Sequence, residues 1–230
     1  MVTRGARRIT FVSGQLDMGG QERSLYLLLR GLDRRFEADV VSLTSGGLWA
    51  GEIRKLGIPV LEIPCRRRWE FGRLRRLIQH LRARRPNLVY CMGFAANSYG
   101  RVAALAARVP RIVTGWRGLE SSPVRWMMET LLARWTDRVV CNSRAVVENV
   151  LAHLPIPRER IALIVNGVEP ADVTDAELAA IRAELGAQPD TIVAGSVARL
   201  SVDKNPFLFL ETAALVRAMR PQVQFVLVGG

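Results

Sequence analysis

The sequence predicts an α/β protein built on a doubly wound parallel sheet. Short apolar runs of strand length alternate along the chain with segments of about ten residues that have helical periodicity. Strands that are apolar throughout and separated by helices are typical of a parallel sheet covered on both faces. A further strand–helix–strand pattern follows residue 190, which indicates that a second domain of the same kind begins there.

Strands and helices are expected to alternate through the first domain. The strand-like runs are 8–13, 38–43, 60–63, 88–92, 111–115, 138–142 and 161–165. The helix-like segments are 21–32, 50–56, 71–83, 97–107, 124–135 and 144–154. In the third helix most positions outside the apolar stripe are Arg, so the stripe should face the core; it consists of positions 71, 74, 77, 78 and 81.

Turn signals and composition predict the domain boundaries. A first domain is expected at 1–168, a connector at 169–190 and the start of a second domain at 191–230. Asn166-Gly167 is a turn signal, and the connector contains one amphipathic helix at 175–185. The strand, helix and strand that follow are expected at 191–197, 206–219 and 224–228. Because one such unit cannot bury both faces of its sheet, we expect the second domain to be incomplete at Gly230.

Composition indicates a globular cytosolic protein. Hydrophobic residues make up 49% of the chain, yet no apolar run reaches the roughly 20 residues that a membrane helix needs. Cys65, Cys91 and Cys141 are odd in number and have no ligand spacing, so we expect reduced thiols. Neither a metal site nor a cofactor is predicted.

The positive charge is concentrated in the first part of the chain. Residues 1–170 contain 28 Lys and Arg against 14 Asp and Glu, while residues 171–230 contain 5 against 7. This asymmetry indicates an anionic partner, which could be a membrane surface, a phosphorylated lipid or nucleic acid; a general bias toward Arg explains it as well. Because no nucleic-acid-binding motif occurs, no nucleic-acid partner is expected.

Two segments have the residues of a phosphate-binding corner. After the run 191–197, Arg199 and Lys204 precede Asn205-Pro206, which opens a helix; Lys204 is one of only 2 Lys beside 31 Arg. Free N–H groups at a helix start and a bidentate Arg both suit a diphosphate. After the first strand, Gly19-Gly20 begins a helix and would let a ligand approach the backbone, although the dinucleotide-binding pattern GxGxxG is absent. Solvated surface charge and an ordinary glycine turn are the alternatives.

Four motifs in this order resemble family 4 glycosyltransferases, the retaining group with the GT-B fold. They are Met18-Gly19-Gly20-Gln21-Glu22-Arg23, Thr136-Asp137-Arg138-Val139-Val140-Cys141-Asn142-Ser143, Asn166-Gly167-Val168-Glu169, and Val197-Ala198-Arg199-Leu200 with Lys204-Asn205. The resemblance covers nearly the whole chain. It implies two Rossmann-like domains, a nucleoside-diphosphate sugar held mainly by the second, and an acceptor held mainly by the first.

The resemblance also assigns roles to residues. Gly19 and Gly20 would lie against the donor diphosphate, Arg199 and Lys204 would neutralise it, and Asn166-Gly167 would lie at the interdomain cleft. Many members place a His after the fifth strand, where this chain has Arg117. Arg117 is therefore the candidate catalytic residue, although an Arg stays protonated and cannot act as a general base. The paired glutamates of the family would lie beyond Gly230.

The implied activity is transfer of a sugar, of hexosyltransferase type, with retained configuration to a glycan or lipid-linked acceptor. Such transfer belongs to polysaccharide or glycoconjugate biosynthesis, and the 230 residues alone should be inactive. Another GT-B nucleotide-sugar enzyme, such as an epimerase, and a basic nucleic-acid-binding module remain the alternatives. Among nearby carboxylates, Glu22 is expected in a first helical turn, while Asp17 and Glu120 are expected to be solvated.

The Arg-rich helix predicts attachment to the inner face of a membrane. Trp69 is expected to start this helix, whose outer side has many cations: Arg73, Arg75, Arg76, Arg82 and Arg84. Trp together with Arg suits the boundary between water and anionic lipid. The protein would then be cytoplasmic and peripheral to the membrane. A solvated Arg face in an Arg-rich chain is the alternative.

Overall fold

A computed structural model describes residues 7–64 and 71–229 of the chain. Trp69 and Cys65 lie outside the described residues. The internal contacts divide the chain into two compact units, Met1–Val168 and Glu169–Gly230. Each unit is described separately below.

The first unit is a seven-stranded sheet in which every neighbouring pair of strands is parallel. The strands are β1 (Arg7–Ser13), β2 (Phe36–Ser42), β3 (Val60–Glu62), β4 (Leu88–Met92), β5 (Ile112–Trp116), β6 (Arg138–Cys141) and β7 (Ile161–Leu163). The helices are α1 (Gly20–Arg30), α2 (Leu48–Lys55), α3 (Phe71–Arg84), α4 (Phe94–Ala106), α5 (Pro123–Ala133) and α6 (Arg144–His153). The strand order β3-β2-β1-β4-β5-β6-β7 confirms the predicted doubly wound sheet.

Both faces of the sheet are covered, as the uniformly apolar strands predict. Adjacent residues of one strand enter different clusters: Phe11 packs with α1 and α2, whereas Val12 packs with α3 and α4. Cys91, Thr114 and Val139 are in register across three strands and therefore share one face. Because Val139 packs with buried residues of α5 and α6, these two helices lie on the same face as α3 and α4.

Two of the helix starts that differ from the sequence-based boundaries have a local reason. Helix α4 begins at Phe94 rather than at 97, because Gly93 takes a φ of 87° and lets the chain turn directly from β4 into the helix. Helix α5 begins at Pro123, and the Ser122 side chain accepts a hydrogen bond from the Arg125 N–H. Both starts lie at the edge of the sheet where the candidate site is found.

The second unit contains one parallel strand pair and two helices. Helix α7 (Asp175–Glu184) precedes β8 (Val193–Val197), α8 (Pro206–Met219) and β9 (Gln224–Val228). A 3-10 turn at Val202–Lys204 leads into α8, and Asn205 caps this helix with a φ of 45°. Many large apolar side chains of α8 are exposed: Phe207, Leu208, Leu210, Leu215 and Met219.

The described cysteines and both histidines are packed residues. Cys91 and Cys141 are free, buried thiols, and burial raises their pKa to about 12 and about 11, respectively. His80 lies 2.6 Å from Asp39 Oδ2, and His153 stacks on Trp126 with ring centroids 4.4 Å apart. These contacts give both histidines a structural role.

Candidate functional site

A pocket of about 420 Å³ opens at the carboxyl edge of the first sheet. It lies where the strand order reverses, between β1 and β4, because β1 is followed by strands on one side and β4 by strands on the other. Open α/β sheets bind ligands at this switch point. The starts of α1 and α4, the loop that follows β5 and Asn166 after β7 form its walls.

The entry into α1 assigns different roles to Gly19 and Gly20. A Cβ on Gly19 would overlap with the carboxylate of Glu22, which is 5% exposed and lies in the first turn of the helix. A side chain at position 19 would therefore have to displace the Glu22 carboxylate. Gly20 lines the pocket, and no described atom lies within 4 Å of the position where its Cβ would be. A ligand can thus approach the backbone at Gly20.

Arg117 and Asn166 come together in this pocket although 49 residues separate them in the chain. Arg117 follows β5, and its guanidinium donates a hydrogen bond to the Asn166 side-chain oxygen. Asn142 donates from Nδ2 to the Arg117 carbonyl at 3.3 Å and so fixes the backbone there. Burial raises the pKa of the Tyr90 hydroxyl, and the nearby charge of Arg117 opposes this shift. Among the described residues, Arg117 Nε is buried without a hydrogen-bond partner.

Glu120 is not solvated as expected but holds the rim of the pocket. Its carboxylate accepts the backbone N–H groups of Ser121 and Ser122 and an Arg125 N–H at 3.0 Å. Burial alone would raise the pKa of Glu120, but these hydrogen bonds outweigh it and hold the pKa below its usual value. The Arg125 guanidinium also lies 4.9 Å from the Phe94 ring centre. The rim is therefore a cationic surface whose geometry Glu120 fixes.

Two buried polar atoms in the pocket wall were not anticipated from the sequence. Asn97 is 1% exposed and Trp116 is 8% exposed, and in the described part of the chain Asn97 Oδ1 and Trp116 Nε1 have no hydrogen-bond partner. Buried polar atoms without partners are uncommon in folded proteins and suit a ligand with hydroxyl groups. Only the position of Asn97 in the first turn after a buried strand could have drawn attention to it.

The other two predicted site residues lie in the second unit. Arg199 is exposed two residues after β8, and Lys204 ends the 3-10 turn before α8. Asn205 accepts the Leu208 N–H at 3.3 Å, so its side chain caps the first turn of α8. A Cβ on Gly229 would overlap with the Ala198 carbonyl, so the loop after β8 packs closely on the end of β9. Arg199 and Lys204 thus both lie between the end of β8 and the start of α8.

Gly167 lines an adjoining, more apolar groove of about 330 Å³ in the first unit, which shares Arg117 and Asn166 with the candidate pocket. A larger hollow of about 710 Å³ lies at the opposite edge of the sheet, where parallel strands begin. There Arg111 pairs with Asp137 at 2.8 Å, and Arg138 donates to the Glu159 carbonyl. We assign the site to the carboxyl edge because ligands of α/β sheets bind there. Within the described residues no cluster of three His, Cys, Asp or Glu could hold a metal.

Comparison with known proteins identifies the family. A sequence model of Glycosyltransferase Family 4 matches residues 18–172. HepE of Anabaena, solved with UDP and glucose, superposes with a TM-score of 0.78 at 22% identity, over 95% of this chain and 60% of that chain. Comparison with curated protein sequences finds no match.

Two further solved structures have the same fold. A glycosyltransferase from Rickettsia africae gives a TM-score of 0.73 at 14% identity, over 97% of this chain and 68% of that chain. UDP-GlcNAc 2-epimerase from Neisseria meningitidis, bound to UDP-GlcNAc, gives 0.64 at 13% identity, over 96% of this chain and 65% of that chain. The chain spans less than two thirds of the HepE chain.

The seven-stranded parallel sheet and these similarities show a GT-B fold with a Rossmann-like first unit. The family match covers every residue that lines the candidate pocket. The chain belongs to glycosyltransferase family 4.

Proposed function

We propose that this protein transfers a hexose from a UDP-sugar, with retained configuration, to a glycan or lipid-linked acceptor. Such a reaction would serve polysaccharide or glycoconjugate biosynthesis. The observation that carries the proposal is the pocket at the switch point of the sheet, where Gly20 leaves the backbone open and Arg117 points its guanidinium inward. The family match and the UDP bound to HepE support the donor class.

The domain roles follow from where the candidate residues lie. We assign 1–168 to the acceptor side, 169–190 to a connector, and 191–230 to the start of the donor-binding domain. In this scheme Arg199 and Lys204 hold the donor diphosphate, Gly19 and Gly20 lie against it, and Asn166-Gly167 borders the cleft. The exposed start of α8 supports the assignment because the two cations before it and the Phe207 N–H suit a diphosphate.

The cationic residues of this scheme would stabilise the negative charge of the leaving diphosphate. A leaving nucleoside diphosphate gains negative charge in the transition state, and fixed cations beside it lower the barrier. Arg117 stays protonated, so it would bind an anionic group of donor or acceptor instead of moving a proton. The hydrogen bond to Asn166 orients the guanidinium, and its unpartnered Nε leaves a donor for the substrate.

The test is donor-dependent transfer by the intact protein. We expect a sugar to pass from a UDP-sugar to a lipid-linked or glycan acceptor, and Arg117→Ala to lower kcat/KM about tenfold or more, as expected for a lost charge-assisted hydrogen bond. Arg111→Ala, which removes an Arg at the opposite edge of the sheet, is the matched control. Wild-type rates in the Arg117→Ala variant would remove Arg117 from the reaction.

An epimerase is the second candidate, because the fold is shared with a UDP-GlcNAc 2-epimerase. The two activities differ in their need for an acceptor. A transferase should leave a UDP-sugar essentially unchanged in the absence of acceptor, whereas an epimerase would convert it. Product analysis without acceptor therefore distinguishes them.

We also propose that the protein is cytoplasmic and attaches peripherally to the inner face of a membrane. No helix of the described residues is long and apolar enough to cross a bilayer. Helix α3 supports attachment but differs from the expectation in three residues. Phe71 is 88% exposed instead of facing the core, Arg73 lies 5.4 Å from the Tyr99 ring centre, and Arg84 pairs with Glu37 and Asp39. Arg75, Arg76 and Arg82 remain exposed.

Charge reversal on α3 tests this attachment. Arg75→Glu/Arg76→Glu should lower co-sedimentation with anionic vesicles at least tenfold, since each Arg near an anionic surface contributes about 1 kcal/mol. Added salt should weaken wild-type binding in the same direction. Arg34→Glu/Arg35→Glu changes the net charge equally at exposed positions before β2 and should have little effect. Equal losses in both double variants would indicate that only net charge matters.

A further inference from the structure

Helix α5 has its apolar side chains on the outside of the molecule. Its outer face carries Val124, Met127, Met128 and Leu131, which we call the α5 stripe, at exposures of 63%, 60%, 39% and 65%. Their spacing of i, i+3, i+4 and i+7 is that of one helix face. The inner face of α5 instead buries Trp126, Glu129 and Ala133. A helix that covers a sheet normally has the opposite arrangement, so the α5 stripe requires a partner.

The surface that the stripe shares with α3 and α4 is cationic and has no exposed carboxylate, whereas α6, which also packs with α5, carries the exposed Glu148. Helices α3 and α4 contain no Asp or Glu, and the single acidic residue of α5 is the buried Glu129. Helix α4 contacts both α3 and α5, and all three cover the same face of the sheet. The exposed cations of this surface include Arg75, Arg82 and Arg134, and the Arg134 guanidinium lies 3.9 Å from the Trp135 ring centre.

We propose that the α5 stripe inserts into the headgroup region of an anionic lipid bilayer. An outward row of Val, Met and Leu flanked by Arg and Trp is the composition of a helix that lies in the plane of a membrane interface. Charge disfavours a second copy of this chain as the partner, because two like faces would bring the arginines of α3 and Arg134 together, and the exposed carboxylate of Glu148 on α6 already pairs with Arg158. An anionic bilayer supplies both the apolar phase and the negative charge.

The position of the stripe connects the bilayer with the candidate pocket. Leu119 is 68% exposed and lines the pocket, as does Arg125 in the first turn of α5. A bilayer in contact with α5 would therefore lie beside the pocket mouth, where a lipid-linked acceptor could enter without leaving the membrane. This inference deepens the proposed peripheral attachment and rests on it, but it assigns the insertion to α5 and not to the arginines of α3.

Vesicle binding of stripe variants tests the assignment. In the intact protein, Leu131→Gln should weaken binding to phosphatidylglycerol-containing vesicles about fivefold, and Met127→Gln/Leu131→Gln about 30-fold, because each removes apolar area that leaves water. Leu48→Gln is the matched control, since Leu48 is 51% exposed on α2, which covers the other face of the sheet. Donor binding should not change in any of these variants.

A probe on the stripe gives an independent measurement. Met127→Cys in a Cys65→Ser background accepts an environment-sensitive dye, while the buried Cys91 and Cys141 thiols remain unreactive. We expect a blue shift of the dye emission with anionic vesicles, little shift with pure phosphatidylcholine, and no shift for a dye placed at Leu48→Cys.

Vesicle binding without a shift of the dye at position 127 would overturn insertion by α5 but leave attachment through α3. An absence of vesicle binding in the wild type would contradict both, without affecting the proposed transfer reaction. A dye on the stripe that is already shielded from water without lipid would contradict a lipid partner and indicate a protein partner. A dimer that dissociates in the Met127→Gln/Leu131→Gln variant would indicate the same.

Discussion

Glu129→Ala is expected to destabilise the first unit by about 3–5 kcal/mol, the usual cost of leaving a buried charge without its partner. Glu129 and Arg101 are 0% and 1% exposed, respectively, and the Arg101 guanidinium donates to the Glu129 carboxylate. Arg101 also donates from Nε to the Asn97 carbonyl at 2.8 Å and reaches the Thr136 hydroxyl at 3.3 Å. Without Glu129 the guanidinium stays charged between α4 and α5, so folding must bury an uncompensated cation.

The reverse variant should show a dependence on pH that Glu129→Ala lacks. Burial raises the pKa of Glu129, and Arg101 opposes this shift. In Arg101→Met the opposition is lost, so the folded protein binds a proton more readily than the unfolded chain. Stability then falls as pH rises through the folded pKa, because the native state holds more protons. Arg101→Met should therefore be less destabilising near pH 5 than near pH 8.

Removal of the whole pair is the control for these variants. Arg101→Met/Glu129→Leu replaces the ions with apolar groups of similar size and should recover most of the lost stability. Denaturant unfolding followed by tryptophan fluorescence suits the measurement, because all five tryptophans of the chain lie within residues 1–168. A double variant as unstable as the single ones would show that shape, and not charge, sets the cost.

Periodicity in the sequence was sufficient to predict the fold class. Neighbouring residues such as Phe11 and Val12, both apolar, signal a strand with two covered faces, and the structure places them in different clusters. The boundaries were less predictable because they depend on backbone conformation. Gly93 starts α4 three residues early through a positive φ, which the residues on either side do not reveal.

The sequence identified residues in the loops that form the candidate site, but not the contacts between those residues. Gly20 was identified from a strand-to-helix turn and Arg117 from the family resemblance, and both line the pocket. The hydrogen bond between Arg117 and Asn166 depends on β5 and β7 ending at the same edge, which only topology supplies. The orientation of α5 was equally inaccessible, because periodicity alone would turn Met127 and Leu131 inward. The buried Arg101–Glu129 pair occupies the inner face instead.

Arg199→Ala and Lys204→Ala should each weaken binding of UDP to the intact protein by about 1.5–3 kcal/mol, the range for a charge-assisted hydrogen bond. The two cations bracket the loop between β8 and the start of α8, where Pro206 has no N–H and the Phe207 N–H has no intrahelical acceptor. Asn205 accepts the Leu208 N–H, so the cap fixes the helix start while the Phe207 N–H remains for a phosphate. Isothermal titration calorimetry with UDP measures the loss directly.

Arg217→Ala is the matched control for this corner. Arg217 lies in the last turn of α8, about 17 Å from the helix start at 1.5 Å per residue, and its removal changes the net charge of the unit equally. If long-range attraction alone held the diphosphate, all three variants would lose affinity together and added salt would abolish the difference. If Arg199 and Lys204 contact the phosphates, only their variants lose affinity, and the loss persists in salt because close contacts are screened less. Unchanged affinity in both variants would move the diphosphate away from this corner and leave the two cations as supports of the turn before α8.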